Sequence, residues 1–199
     1  MAFEIITAED VANAGRGGEL RVKPGTIVTD WAREMASSRG VRIIESDATA
    51  RLCLALGSDH GGFALKEALK TQLEANYTVR DVGAHSTEAV DYPDFAAKVA
   101  RAVALSDAAW GVIVDGAGIG SCMAANKVPG VLAATCHDER TAKNSREHNG
   151  ANVLCLGSGS MDEAAAKRVL DAWLATGFAG GRHGKRVAKI KAIERSFTK

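Results

Sequence analysis

The residues with the clearest chemical character are an acid and the glycines that follow it. A β-branched run over residues 112–114 is typical of a buried strand, and it ends at Asp115. Three glycines follow within five residues: Gly116, Gly118 and Gly120. The sequence after them favours a helix, and the free N–H groups at a helix start can bind an anion. Because a carboxylate beside that turn would repel an anion, we predict that Asp115 does chemistry next to the ligand.

The glycine spacing differs from the two common phosphate-binding motifs. Ser121 replaces the last glycine of the dinucleotide-binding fingerprint, and no Gly-Lys-Ser or Gly-Lys-Thr follows. A plain strand-to-helix turn, with glycines that serve close packing, would explain the same residues without a ligand. The motif alone leaves both interpretations open.

Strand and helix patterns alternate from Leu52 onwards, and they indicate which fold positions the glycine turn. Apolar runs predict five strands, over residues 52–56, 77–81, 112–114, 131–135 and 152–156. Helical stretches lie between them, and a basic tail helix is predicted to be held by Val187, Ile190 and Ile193. This alternation predicts an α/β fold, a Rossmann-like doubly wound sheet of five parallel strands. Ligands bind such sheets at the carboxyl ends of the strands, where Asp59, His60 and Asp115 are expected.

The composition of the chain limits the kinds of binding partner that it can be expected to have. The chain has 199 residues, with 25 Lys and Arg against 24 Asp and Glu, so its charge indicates neither a nucleic acid nor a membrane surface. No apolar run approaches the roughly 18 residues of a membrane span, and no signal peptide is evident. The four cysteines lack metal-site spacing, so we expect reduced thiols and no metal. These features predict a cytoplasmic protein.

Residues 1–48 differ from the rest and predict a small appended module. Thr7 and Thr29 are each placed to cap a short helix, and Trp31 and Met35 share one face of the second helix. Residues 45–51 are the predicted linker to a main domain over residues 51–199. The apolar side chains of the module are too many to leave in water, so we expect packing on the main domain or on a partner subunit.

Five short motifs stand out along the second part of the chain. They are Gly57-Ser-Asp-His-Gly-Gly-Phe-x-x-Lys66, Asp91-Tyr-Pro93, the glycine turn through Ala-Ala-Asn-Lys127, Ser145-Arg-Glu-His-Asn149 and Gly180-Gly-Arg-His-x-x-Arg186. In these motifs and their order the chain resembles the ribose-5-phosphate isomerase B family, which includes galactose-6-phosphate isomerase subunits. The resemblance covers about residues 51–196. It implies a Rossmann-like fold, a homodimer or tetramer with shared active sites, and cofactor-free aldose–ketose isomerisation of a sugar phosphate through an enediolate.

The resemblance also implies roles for individual residues. The sugar and its phosphate would meet Asp59 and His60, and Tyr92 would border the pocket. The backbone from Gly116 to Gly120 would hold the substrate or enediolate oxygens. His148 would assist ring opening as an acid, with Asn149 beside it. The phosphate would be clamped by Arg182 and Arg186. A helix C-terminus also favours His and Asn, so His148 and Asn149 could instead be simple capping residues.

Four positions depart from the pattern of that family. The usual base is a cysteine at the position of Asp115 or a glutamate at that of Ser121, and neither is present. Ala117 lacks the usual hydroxyl, and Gly159 stands in place of a common arginine. If the chain is an isomerase, Asp115 is the expected base, with a pKa raised by the apolar strand behind it. The alternative is a non-catalytic sugar-phosphate-binding or structural subunit of the same fold.

A second, shorter resemblance concerns the N-terminal module. The stretch from Leu20 to Ala36, followed by residues 40–43, resembles segments of enzymes from bacterial microcompartments. It implies that the module could place the enzyme in such an assembly. A module that only extends a dimer interface would explain the same residues.

Overall fold

The computed structural model describes residues 5–15, 17–22, 25–45 and 51–197. The chain divides into two compact units, Met1–Arg51 and Leu52–Lys199. Most of the predicted linker, residues 46–50, lies outside the described residues, as does Pro24. No helix in the described ranges is long and apolar enough to cross a membrane.

Short parallel strand pairs and two helices build the N-terminal unit. Its elements are β1 (Ile5–Ile6), α1 (Ala8–Asn13), β2 (Glu19–Val22), β3 (Ile27–Val28), α2 (Asp30–Arg39) and β4 (Arg42–Glu45). β1 pairs with β3, and β2 pairs with β4. The two predicted helix caps are confirmed: Thr7 forms a capping box with Asp10, and the Thr29 hydroxyl accepts the Ala32 N–H at 3.3 Å. The sequence analysis did not predict β3.

The N-terminal unit buries a small apolar cluster of its own. That cluster consists of Ile6, Val11, Val22, Val28, Ala32, Ala36 and Val41. Among the described residues of the same unit, three large apolar side chains are exposed: Ile5 by 54%, Ile27 by 49% and Trp31 by 63%. Ile5 and Ile27 are direct partners across the β1–β3 pair. The unit therefore covers most of its apolar side chains internally and leaves these three uncovered within the chain.

The second unit has the predicted α/β fold, with five parallel strands in the order β6-β5-β7-β9-β8. Its strands are β5 (Cys53–Ser58), β6 (Thr78–Asp81), β7 (Trp110–Asp115), β8 (Ala133–Thr135) and β9 (Val153–Gly157). Its helices are α3 (Phe63–Leu73), α4 (Tyr92–Ala104), α5 (Ile119–Ala125), α6 (Glu139–Glu147), α7 (Glu163–Leu174) and α8 (Gly181–Phe197). The central position of β7 places Asp115 in the middle of the carboxyl edge.

Side-chain alternation along the strands divides the core into two layers. Leu54, Val112 and Leu154 pack with residues of α3 and α7, whereas Ile113 packs with residues of α4. Because successive side chains of a strand point to opposite faces, Asp115 continues the row of Ile113 on the α4 side. The register pairs Asp115 with Gly157 of β9. The sheet thus directs the Asp115 carboxylate toward the helix that follows β7.

The tail helix differs from its prediction in one respect. Within α8, His183 and Val187 are buried, but Ile190 and Ile193 are 46% and 62% exposed. The periodic spacing of the three apolar residues is present, but only Val187 is covered within the chain. An amphipathic pattern identifies a face that favours burial and does not identify what covers it.

Candidate active site

The carboxylate of Asp115 is held by the backbone of its own turn, residues 115–121, which we call the Asp115 turn. Its Oδ1 accepts the N–H groups of Ala117, at 2.8 Å, and of Gly118. Its Oδ2 accepts the N–H of Ser121 at 2.9 Å. The side chain is only 4% exposed. The glycine turn therefore binds a carboxylate at its amides, and that carboxylate belongs to the chain itself.

The expected rise in the Asp115 pKa is wrong. Burial acts to raise the pKa of this carboxyl, but hydrogen bonding outweighs it and the pKa lies below the usual 3.8. The lowering comes first from the Ser121 side chain and then from the N–H groups of Ser121, Gly118 and Ala117. The prediction considered only the apolar strand, which raises the pKa, and did not include the donors of the turn, which lower it. Asp115 is ionised at neutral pH and is a weak base.

The three glycines of the turn have different roles. Gly118 has φ of +75°, a left-handed conformation that glycine adopts without strain. An added Cβ on Gly120 would come within 2.7 Å of the Tyr92 ring, so this glycine lets that ring lie against the turn. Gly116 is exposed and has no heavy atom near the position of a Cβ, so open space lies beside it. Gly116 is where a ligand can approach the backbone.

The loop after β5 lies next to the Asp115 turn. The N–H of Asp59 donates to the carbonyl of Val114, and the Asp59 carboxylate accepts the Gly62 N–H at 2.8 Å. His60 is exposed, with its Nδ1 3.2 Å from the backbone nitrogen of Val90. Tyr92, two residues later, starts α4 and is 41% exposed. Asp59, His60, Tyr92 and Asp115 therefore share the carboxyl edge of the sheet, as predicted.

A cavity beside this edge adjoins the Asp115 turn on the other face of the sheet. Its volume is about 480 Å³, and its lining includes Gly61, Gly116, Ser158 and Gly159. The Ser158 hydroxyl donates to the carbonyl of Gly61 at 3.0 Å, which ties the loop after β9 to the loop after β5. Open volume next to Gly116 gives a small ligand room at the turn.

Imidazole and guanidinium groups gather at a second place, formed by the end of α6 and the start of α8. We call His148, Asn149, Arg182, His183 and Arg186 the His148 cluster. The rings of His148 and His183 stack with centroids 4.2 Å apart and planes 3° from parallel. Both rings line a cavity of about 310 Å³, together with Asn149 and Arg186.

Hydrogen bonds to nitrogen donors orient both imidazoles of the cluster. His148 Nδ1 lies 2.8 Å from the amide nitrogen of Asn144, and Arg182 Nε lies 3.3 Å from His183 Nε2. Nitrogen donors facing these ring nitrogens make both of them acceptors. The pKa of His183 is lowered below 6.5, first by burial and then by His148, Arg182 and Arg186. With the Asn144 amide donating to Nδ1, His148 carries a proton on Nε2.

Arg146 fixes the loop that carries His148. Its guanidinium lies between the rings of Trp110 and Trp173, at 4.8 and 4.6 Å from their centroids. It also donates to the carbonyl oxygens of Thr176 and Ala151, at 3.1 and 2.6 Å. These contacts join the end of α6 to the segment after α7. His148 is thus presented by a rigid support.

The predicted site residues form two groups within one chain. Asp59, His60, Tyr92 and the Asp115 turn make one group, and the His148 cluster makes the other. No hydrogen bond or ion pair among the described residues joins the groups. No set of three or more His, Cys, Asp or Glu in the described ranges is arranged to hold a metal ion.

Sequence reasoning missed three supporting residues. Asn144 lies four residues before His148 on the same helix, a spacing that could have indicated the contact. The sequence did not indicate the supporting role of Arg146, because the aromatic residues that it contacts come from distant elements. Ser121 was considered only as a departure from a family pattern, yet it contacts Asp115 through its backbone. The Lys66 of the first motif is buried and ion-paired with Asp81 at 2.8 Å, so it ties α3 to β6.

A doubly wound sheet with a carboxylate at its central turn and a separate cluster of cations defines an α/β protein that handles small anionic metabolites. A family model described as Ribose/Galactose Isomerase matches residues 54–190. The chain belongs to this isomerase family. The match begins at residue 54, so it excludes the N-terminal unit.

Individual relatives agree with the family match. Ribose-5-phosphate isomerase B of Escherichia coli is 43% identical over 142 residues, which cover 71% of this chain and 95% of that protein. A putative sugar phosphate isomerase of Rickettsia typhi is 40% identical over 139 residues, covering 69% and 96%.

Solved structures give the same result. Ribose-5-phosphate isomerase B of Clostridium thermocellum superposes with a TM-score of 0.73 at 44% identity, covering 74% of this chain and all of that one. The Mycoplasma genitalium enzyme with bound ribulose 5-phosphate gives a TM-score of 0.66 at 43% identity, covering 72% and 96%.

Proposed function

We propose that this protein interconverts an aldose phosphate and a ketose phosphate through an enediolate, with Asp115 as the base. The observation that carries the proposal is a buried, ionised carboxylate, held by three backbone N–H groups at the central carboxyl edge of the sheet. The names of the relatives make a pentose 5-phosphate the first substrate to test. A shorter sugar phosphate is also compatible, because an aspartate at this position differs in reach from the cysteine or glutamate that serves as the base in the family.

One lone pair of Asp115 is available for proton transfer. Each carboxylate oxygen has two lone-pair directions. Both directions of Oδ1 are taken by the N–H groups of Ala117 and Gly118, and one direction of Oδ2 is taken by Ser121. The second lone pair of Oδ2 would receive the proton from C2 of the aldose. Asp115 is the base under this proposal only if C2 lies against Oδ2.

Because Asp115 is a weak base, catalysis depends on stabilisation of the enediolate intermediate. A base with a low pKa removes a carbon-bound proton at a useful rate only if the enediolate is strongly stabilised. The Asp115 carboxylate accepts three N–H groups of its turn. The N–H groups of Gly116 and Gly120 are left to bind the developing oxyanion. Preorganised backbone donors of this kind stabilise negative charge without having to reorient during the reaction.

The His148 cluster would supply the remaining steps. The Nε2 proton of His148 would be donated to the ring oxygen of a furanose, which opens the ring, and Asn149 would orient the sugar. The substrate phosphate would be held by Arg182 and Arg186, with His60 meeting it from the other group. An exposed guanidinium in a cavity lined by imidazoles suits a phosphate dianion.

We further propose that the two groups form one site when two chains associate. The Asp115 turn contributes a carboxylate and amides but no guanidinium, and the His148 cluster contributes cations but no carboxylate base. Each set lacks what the other provides. In a twofold-symmetric dimer each interface contact occurs twice, so two chains would generate two complete sites.

The N-terminal unit is proposed as an interaction module for oligomerisation or for recruitment to a larger assembly such as a microcompartment. The exposed side chains of Ile5, Ile27 and Trp31 support this role, because an uncovered apolar patch marks an interaction surface. Deletion of residues 1–48 should leave isomerase activity and change the oligomer size or the cellular distribution. A truncated protein with unchanged size and distribution would contradict the proposal.

Exchange of the C2 hydrogen tests the proposed function. A panel of aldose and ketose phosphates with three to six carbons is incubated in deuterium oxide, and label at the exchanging carbon is followed by NMR. Isomerisation with deuterium incorporation is the expected result for at least one substrate, and it should be absent with Asp115→Asn. Calorimetric binding of a sugar phosphate without any exchange would favour the non-catalytic alternative.

A further inference from the structure

The hydroxyl of Ser121 is buried beside the Asp115 carboxylate without a fixed partner. Ser121 is 1% exposed, and its Oγ has no hydrogen-bond partner within the described residues. Its own N–H donates to Asp115 Oδ2 at 2.9 Å, so the Ser121 side chain starts next to that oxygen. A buried polar atom without a partner is costly, and it commonly marks a functional site.

The surroundings limit what this hydroxyl can do. The backbone N–H of the same residue already donates to Asp115 Oδ2, so we consider a role that acts through this carboxylate. The hydroxyl lies close enough to Asp115 to contribute to the lowered pKa of that carboxyl, although the bond is not formed at ideal geometry. Oδ2 is the carboxylate oxygen next to Ser121, and it keeps one lone pair after accepting the Ser121 N–H. This is the lone pair that proton transfer requires.

We propose that Ser121 is a positioning residue for Asp115, whose hydroxyl donates to the free lone pair of Oδ2 in the resting enzyme and releases it during catalysis. This inference rests on the proposed function. The C2–H bond breaks, its electron pair forms the C1–C2 double bond with the negative charge on O1, and the proton bonds to Oδ2. The hydroxyl turns away as the proton arrives and returns when the proton leaves for C1. Ser121 thereby sets how basic the carboxylate is and which lone pair points at C2.

Other titratable groups near Asp115 do not obscure its titration. Tyr92 of α4 lies against Gly120, Cys122 follows Ser121 on α5, and Cys155 of β9 is close enough for the Asp115 charge to act on it. The pKa of Cys122 is lowered to about 6, whereas that of Cys155 is raised well above its usual value. Both thiols are therefore protonated in the acid range, where a carboxyl with a lowered pKa titrates.

The test is an NMR titration of the Asp115 carboxyl carbon in protein labelled with carbon-13 at aspartate, with Asp115→Asn to assign the signal. Ser121→Ala should shift the titration of Asp115 to higher pH, because the charged form loses a donor. Ser121→Thr keeps the hydroxyl and should restore the wild-type titration. Ser158→Ala is the matched control, because the Ser158 hydroxyl contacts the Asp115 carbonyl at 3.2 Å and not the carboxylate.

Together, the NMR and kinetic results test the role of Ser121 separately from the assignment of Asp115 as the base. An unchanged titration in Ser121→Ala, or an equal shift in Ser158→Ala, overturns the role of Ser121. If the NMR titration shifts and the acid limb of kcat/KM shifts with it, both Ser121 and the base assignment are supported. If the NMR titration shifts while the acid limb stays, Ser121 sets the carboxyl pKa but Asp115 is not the base, so the proposed function fails in that part.

Discussion

The Asp115 turn and the His148 cluster differ in how their polar groups are satisfied. At the turn, three amides of the chain already surround a buried carboxylate. In the cluster, Arg186 is exposed and makes no ion pair with the described residues, and each imidazole accepts a hydrogen bond from a nitrogen donor. The turn is preorganised before any ligand arrives, whereas the cluster leaves positive charge for an incoming anion. This difference supports the proposal that the turn takes the C2 proton, whereas the cluster binds the phosphate and opens the sugar ring.

Removing the charge of Asp115 is expected to have the largest effect. Asp115→Asn should lower kcat by about a thousandfold, because a positioned base contributes a factor of this order. KM should change little, since the proposed phosphate site is the His148 cluster. Asp138→Asn is the control, because Asp138 likewise accepts an N–H at a helix start, at 2.6 Å, but lies outside the site. Unchanged turnover in Asp115→Asn would show that the turn is only structural.

Loss of a cation in the cluster should act mainly on binding. Arg186→Gln should raise KM by about 10- to 100-fold, the value of one or two charge-assisted hydrogen bonds, with a smaller change in kcat. Lys189→Gln removes an exposed cation from the same helix and should leave KM within about twofold. If both variants raise KM equally, the effect is one of general charge, and Arg186 has no specific contact with the phosphate.

The smallest expected effect concerns the pH dependence of stability. Burial and nearby cations lower the pKa of His183, so below about pH 6.5 the unfolded chain takes up a proton that the folded chain does not. The free energy of unfolding therefore falls as the pH drops from 7.5 toward 5. His183→Phe keeps a stacked ring and should reduce this fall in thermal melts. An identical pH dependence in the variant would mean that His183 titrates normally in the folded protein.

The fold could be derived almost completely from the sequence, because strand and helix periodicities in the second unit are strong and their alternation allows few topologies. The placement of Asp59, His60 and Asp115 after the carboxyl ends of their strands was also predicted. The sign of the Asp115 pKa shift was not, because three amides and a hydroxyl have to be placed before they can be counted. The stacking of His148 on His183 was hidden for a related reason. It joins the end of α6 to the start of α8, elements more than 30 residues apart in the sequence.

The N-terminal unit illustrates the same limit. Its helix caps were readable from Thr7 and Thr29, since a cap depends on neighbours three residues away. Which apolar residues stay exposed depends on a pairing of β1 with β3 that the sequence analysis did not foresee. Local signals were therefore reliable, and contacts between distant segments were not.

Complementation between inactive chains tests most directly whether the turn and the cluster act as one site. Asp115→Asn and His148→Ala chains are each purified, mixed at equal amounts under conditions that exchange subunits, and assayed for isomerisation with mixed dimers confirmed by native mass spectrometry. If each site takes its turn from one chain and its cluster from the other, random mixing should restore about one quarter of wild-type activity. Confirmed mixed dimers that remain as inactive as the parent variants would contradict the account.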